Sequence, residues 1–211
     1  MQTAALLWHL RELSDQPIVV SGIGLARFLP ILLLAPFGGV LADTRNRRQI
    51  LFITQTTMMA TAAALGLLTV TGQIQIWHIY LLTGLQATAL AFDLPARQSL
   101  VPNLVPREVL PSAYGMQSIA SNTGAIAGPA LSGLVIGYLG QEYAYWINAV
   151  SFLAVLIALV LMGNIPQQKS VVVEGLRGSL ISIREGAQFI LGHPIILSSM
   201  ILDFIATFFS S

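Results

Sequence analysis

Two charged side chains stand inside otherwise apolar runs: Arg27 within residues 17–41, and Asp203 in the run that opens at residue 195. An arginine at the centre of an apolar helix costs about 2.5–3.5 kcal/mol on insertion scales, so it faces a bundle interior or a water-filled cavity, or snorkels outward. Arg27 is therefore a candidate for substrate or gate electrostatics, with a structural ion pair to Glu12 or Asp15 as the alternative. Asp203, with Thr207 one turn on, is a candidate for binding a proton or a substrate. His9 joins them, with Gln2 and Thr3 adding polarity to the same stretch, although a lone histidine is more often a packing residue than a ligand. Asp43 follows Gly38 and Gly39 and precedes Arg45, Arg47 and Arg48. Small residues let helices approach closely. A carboxylate at a helix end can pair with an arginine or with the N-terminus of a neighbouring helix. Gly39, Asp43, Arg47 and Arg48 are thus expected to form a conformational latch, the plainer alternative being a topological anchor.

The same inventory carries no catalytic constellation. No His or carboxylate pair has metal-ligand spacing, no serine sits in a nucleophile elbow, and there is no phosphate-binding glycine loop. Cysteine is absent, which excludes disulfides and thiolate sites. No catalytic residue, metal or cofactor is assigned.

The elements that must hold these residues follow from composition. Of 211 residues, 55% are hydrophobic and 9% are charged, against about 25% charged in soluble domains. Such apolar surface calls for a bilayer. A net charge of +1 offers no basic field for nucleic acid. A hydrocarbon core of about 30 Å takes about 20 helical residues. Residues 17–41, 50–70, 76–94, 114–139 and 145–162 meet that length, and residues 1–10 reach about half of it. Residues 195–211 begin another run. The expected organisation is a membrane bundle over 1–163 with its first helix incomplete, a linker over 164–193, and the start of a further helix over 194–211. Both ends are expected to cut through helices, the alternative being that Met1 opens an interfacial segment. Within the linker, residues 175–191 show helix-like apolar spacing with Arg177, Arg184 and Glu185 among them, as in a helix lying on the membrane surface or packed on the bundle.

All the lysines and arginines except Arg11 and Arg27 fall in alternate connections, which the positive-inside rule assigns to the cytoplasm. Trp77 and Trp146 then lie at outer span ends, as interface anchors do. Gly124, Gly128 and Gly133 share one span with Pro129; the glycines leave a packing groove and the proline bends the helix, which suits rocking motion between two halves.

Three stretches carry a family resemblance. Residues 39–48 resemble the G-x-L-A-D-r-x-G-R-[KR] loop between helices 2 and 3 of the major facilitator superfamily: Gly39, Leu41, Asp43, Arg47 and Arg48 match, while Asn46 stands where Gly is usual. Gly124, Gly128, Pro129 and Gly133 resemble the fifth-helix G-x-x-x-G-P-x-x-G-G signature of exporters and antiporters, with Ser132 replacing one Gly. Residues 92–108, with Asp93 and Arg97 at the cytoplasmic end of helix 4, are similar to the same connection in the enterobactin-exporter and macrolide-efflux branch. The resemblance implies an all-α membrane protein, the N-terminal six-helix bundle of a major facilitator fold, running from within helix 1 to within helix 7 of twelve. It implies ion-gradient-driven efflux of a small amphiphilic molecule across a bacterial inner membrane, with the lipid bilayer and a missing C-terminal half as partners. Residues 79–92 lack the arginine that proton-coupled drug antiporters place midway along helix 4. On this reading the chain alone does not transport. The competing classes are a non-transporting scaffold, which has no need of Arg27 and Asp203, and an intramembrane enzyme, which needs clustered catalytic groups.

Overall fold

The computed structural model describes residues 1–163, 192–193 and 196–203. The chain divides into two compact units, Met1–Ser170 and Val171–Ser211. In the first, the described residues form α1 (Gln2–Leu13), α2 (Pro17–Thr44), α3 (Arg47–Val70), α4 (Ile76–Leu104), a 3-10 turn (Arg107–Val109), α5 (Leu110–Tyr138) and α6 (Gln141–Leu161). No strand occurs among the described residues. The five helices α2 to α6 are long and apolar enough to cross a membrane, and α1 is the short one. In the second unit, residues 196–203 are helical and Asp203 is exposed. The helix expected over 175–191, with Arg177, Arg184 and Glu185, and also Thr207, lie outside the described residues.

The sequence places the end of the fourth span at residue 94, but α4 continues to Leu104 through Pro95 and Pro102. Proline lacks an N–H, so Pro95 cannot satisfy the carbonyl of Ala91 one turn before it. Gly38 of α2 packs directly on that carbonyl: a Cβ on Gly38 would collide with Ala91 O and lie 3.3 Å from Pro95 Cγ. The close crossing covers the unpartnered oxygen with backbone Cα–H, a contact that recurs at helix interfaces. Proline is thus accommodated where a neighbouring helix re-satisfies the backbone, as membrane helices permit.

The start of α3 is tied to two other helices. Asn46, the departure from the loop pattern, is its N-cap: its side chain accepts from the backbone N–H of Arg48 at 3.0 Å and of Gln49 at 3.3 Å. Arg47 is buried and its Nε donates to Ala42 O at 3.1 Å, near the C-terminus of α2. Arg48 donates from Nε to Leu159 O at 2.7 Å and from a terminal nitrogen to Val160 O at 3.2 Å, capping the end of α6. Cations are stabilised at such carbonyl-rich termini. Arg48→Ala is expected to lower stability by about 1–2 kcal/mol. Arg48→Lys should restore less than half of that, because an ammonium on a thinner stem does not fork across two carbonyls. An SDS titration of the chain in mixed micelles, followed by circular dichroism, reads both.

Two apolar clusters bracket the bundle's interior. One gathers Leu6, Leu10, Ile23, Leu65, Ile79 and Tyr145; the other gathers Ala42, Ile50, Leu51, Ala96, Leu100 and Leu159. Gly66 also lets Trp146 approach α3, with the indole 3.1 Å from where a Cβ would stand, so this tryptophan packs between helices as well as standing near a helix end. The outer surfaces are strongly apolar, as on Ile18, Leu25 and Ile126.

Candidate functional site

Between the two apolar clusters lies a cavity of about 610 Å³ with mostly apolar walls, lined from α1, α2, α3, α4 and α6. Its polar residues are Gln2, Thr3, Arg27, Gln55, Thr83, Gln86, Asp93, Arg97 and Ser151. The order along each helix explains the position. On α4, for example, Ile79 belongs to the first cluster, Thr83 to Arg97 line the cavity, and Leu100 belongs to the second.

Asp93 is the most heavily bonded group. Its Oδ1 accepts from Thr54 Oγ1 at 2.9 Å and from Gln55 Nε2 at 2.7 Å. Its Oδ2 accepts from Arg97 Nε at 3.2 Å and from an Arg97 terminal nitrogen at 3.0 Å. The carboxylate is almost fully buried, with 4% of the side chain exposed against 43% for Arg97. Charge-assisted bonds of this kind offset the desolvation of an ion in an apolar bundle. The antiparallel α3–α4 hairpin turns near Gln73, so Gln55 and Asp93, each about 20 residues from the turn, share one depth. That register was the available signal for Thr54 and Gln55, which sequence reasoning missed.

The same rule corrects the expected partners of Arg27. The α1–α2 hairpin turns near Asp15, which brings Thr3, not Glu12 or Asp15, level with Arg27. Arg27 accordingly donates to Thr3 Oγ1 at 3.0 Å. Glu12 accepts instead from Trp8 Nε1 and from Gln141 Nε2, both at 2.8 Å. Among the described residues no carboxylate lies within ion-pair distance of Arg27.

A second polar knot crosses the cavity. Gln2 Oε1 accepts from Gln86 Nε2 at 2.8 Å and from Asn148 Nδ2. Among the described residues, three buried polar atoms of cavity-lining side chains have no partner: Gln2 Nε2, Gln55 Oε1 and Thr83 Oγ1. An unsatisfied buried group costs about 1–3 kcal/mol, so these atoms are conspicuous in so apolar a chain. A neighbouring apolar cavity of about 410 Å³, lined by Leu51, Leu100, Leu104, Ala158 and Met162, shares Gln55, Arg97 and Val155 with the first.

The remaining candidates lie elsewhere. His9 is buried with its Nδ1 3.2 Å from Tyr145 OH and does not line the cavity. Asp43 is exposed and pairs with no arginine among the described residues, while Arg47 and Arg48 hold helix ends. Of the two glycines before it, Gly38 is the point of close approach and Gly39 faces open space. On α5, Gly124 and Gly133 likewise meet nothing within 4 Å, whereas a Cβ on Gly128 would stand 3.1 Å from Met1 N. Ser132, the departure from the glycine signature, is the fully buried residue of α5, and its hydroxyl donates to Met1 O at 3.1 Å. Asp203 belongs to the second unit.

The family sequence model described as transmembrane secretion effector matches residues 1–210. The chain is 28% identical over 205 residues to the uncharacterized MFS-type transporter YfiS of Bacillus subtilis, covering 93% of this chain and 46% of that one. It is 26% identical over 157 residues to macrolide efflux protein A of Streptococcus pyogenes, covering 74% and 37%. It is 25% identical over 211 residues to the multidrug efflux pump Tap of Mycolicibacterium fortuitum, covering 96% and 51%. The chain spans about half the length of the curated relatives it matches. No solved structure gives a significant match. With five membrane-length helices around a polar-lined cavity, and a family match along nearly its whole length, the chain is a multi-pass membrane protein belonging to the transmembrane secretion effector family of the major facilitator superfamily.

Proposed function

We propose that the chain is the N-terminal half of a secondary active transporter that exports a small amphiphilic molecule across a bacterial cytoplasmic membrane, driven by an ion gradient. The carrying observation is the cavity: apolar walls, Arg27 without a counter-ion among the described residues, and an Asp93–Arg97 pair, all at bundle depth. A missing C-terminal half faces this cavity in the proposed assembly and completes the substrate site, as in alternating-access transporters built from two repeats. The names of relatives support this: macrolide efflux and multidrug efflux are each ascribed to a similar protein, and staphyloferrin A transport to a third. The connections bearing Arg45, Arg47, Arg48 and Arg107 face the cytoplasm in this reading.

Exposed Asp43 and the open Gly124 and Gly133 fit surfaces that the other half engages, the first as a latch and the others as a packing groove. Helix burial supports the same division: the most apolar windows of α2 and of the segment containing α5 are each 6% buried, against 50% for α3. Asp203 remains the candidate for ion or substrate binding from the second unit.

Cells carrying the complete reading frame are expected to accumulate at least one amphiphilic compound of a macrolide, dye and siderophore panel less than cells without it. Dissipating the ion gradient should abolish the difference. Unchanged accumulation of every compound would favour a scaffold without transport activity.

A further inference from the structure

We propose that the cavity binds an amphiphile carrying an anionic group, with Arg27 as the seat of the anion and Gln55, Gln2 and Thr83 as partners for its hydrogen-bonding groups. The inference rests on the reading of this cavity as the transport site and adds the charge class of what occupies it.

Charge makes the first part of the case. The charged residues lining the cavity, among those described, are Arg27, Asp93 and Arg97. Asp93 and Arg97 neutralise each other at 3.0 Å. Among the described residues, Arg27 donates to the neutral hydroxyl of Thr3 and meets no carboxylate. One positive charge is left uncompensated at the edge of a cavity with mostly apolar walls, on a residue that is itself exposed in this chain. An anion there offsets the cost of holding Arg27 at that depth, and a cation adds to it.

The orphaned atoms make the second part, and they are independent of charge. Gln2, Gln55 and Thr83 are 7%, 2% and 4% exposed. The two glutamines are held from behind. The carboxylate of Asp93 only accepts, so Gln55 must present Nε2 to it, which leaves Oε1 unused. Gln2 presents Oε1 to two amide donors, which leaves Nε2 unused. Thr83 departs from the habit of its neighbours: Thr61, Thr69 and Thr88 each donate back to a carbonyl of their own helix, and among the described residues Thr83 finds no partner. Gln2, Gln55 and Thr83 line the cavity from α1, α3 and α4, and the unpaired atoms of the two amides have complementary roles: a ligand N–H or O–H for Gln55, and a ligand oxygen for Gln2. The volume lies in the range of small-molecule sites.

The test uses the chain in nanodiscs of uncharged lipid, with three fluorescent probes of matched length: 11-(dansylamino)undecanoate, its methyl ester, and the amine-terminated analogue. Binding to empty nanodiscs is subtracted. The carboxylate is expected to bind about tenfold more tightly than the ester, a difference of about 1.4 kcal/mol, and the cation more weakly than either. Arg27→Met should erase the preference and Arg27→Lys should keep most of it. Thr83→Val should weaken the carboxylate probe about threefold while leaving the empty protein at least as resistant to SDS, since it removes an unsatisfied hydroxyl. Equal binding of acid and ester, tighter binding of the cation, or a preference that survives in Arg27→Met would overturn the proposal. If the preference holds and no compound is exported from cells, the transporter reading fails and the anion site stands. If cationic compounds are exported and no acid preference exists, the reverse is true.

Discussion

Asp93→Ala is expected to be the most damaging single change in the bundle, lowering stability by about 2–4 kcal/mol. The substitution strands Thr54, Gln55 and Arg97 at once, because all three donate to the one carboxylate. The estimate sits below that for a fully buried ion pair because Arg97 is 43% exposed and can turn toward solvent. Asp93→Asn should cost less than half as much. Its oxygen can still accept from Thr54 and Gln55, and only the contact with Arg97 is lost. SDS titration of both variants beside the parent chain gives the two numbers. A parent-like midpoint for Asp93→Ala would mean that the carboxylate does not organise the α3–α4 interface.

Gly38→Ala and Gly39→Ala should differ in sign although the positions are adjacent. At Gly38 the added methyl collides with the backbone oxygen of Ala91, so α2 and α4 must separate. Backbone cannot yield as a side-chain tip can, which places the cost toward the upper end of overpacking, at about 2–3 kcal/mol. At Gly39 a Cβ meets nothing within 4 Å. There the gain in helix propensity, about 0.5–1 kcal/mol, goes unopposed and the variant should equal or exceed the parent. The same pair separates stability from function in the complete transporter. If the latch reading holds, Gly39→Ala impairs export without loss of fold, because its open face is the one available to the other half.

Hydropathy alone was enough to place five membrane helices, because lipid demands long uninterrupted apolar runs whatever their tertiary neighbours. It failed at the end of α4 for a tertiary reason. Asp93, Pro95 and Pro102 look like a boundary in one dimension, and the helix passes through them because Gly38 covers the carbonyl that Pro95 leaves free and because Asp93 is satisfied by α3. Charged residues were found as outliers, since any charge in an apolar run is conspicuous. Their partners were not, since Thr and Gln are unremarkable singly. Hairpin register would have supplied them: residues equidistant from a tight turn share a depth, which pairs Thr3 with Arg27 and Gln55 with Asp93. The three arginines after Asp43 were legible as a charged loop, but not the division of labour by which Arg47 and Arg48 hold the carbonyl ends of two different helices while Asp43 stays exposed. That division depends on where α2 and α6 end in space.

Because these 211 residues contain no cysteine, a single cysteine placed among them has no background from this part of the protein, and the same protein without the added cysteine supplies the background of the rest. Ser151→Cys places a thiol on the cavity wall, and Ser21→Cys places one on an exposed stretch of α2 outside it. In the complete transporter, a compound that the cells export should slow labelling of Ser151→Cys by a maleimide at least about tenfold at saturation, as expected for occupancy of one site near 90% or above. Labelling of Ser21→Cys should not change. Unaltered labelling at Ser151→Cys by a compound demonstrably exported would place the transport path outside this cavity and contradict the assignment of Arg27, Gln55 and Asp93 to the substrate site.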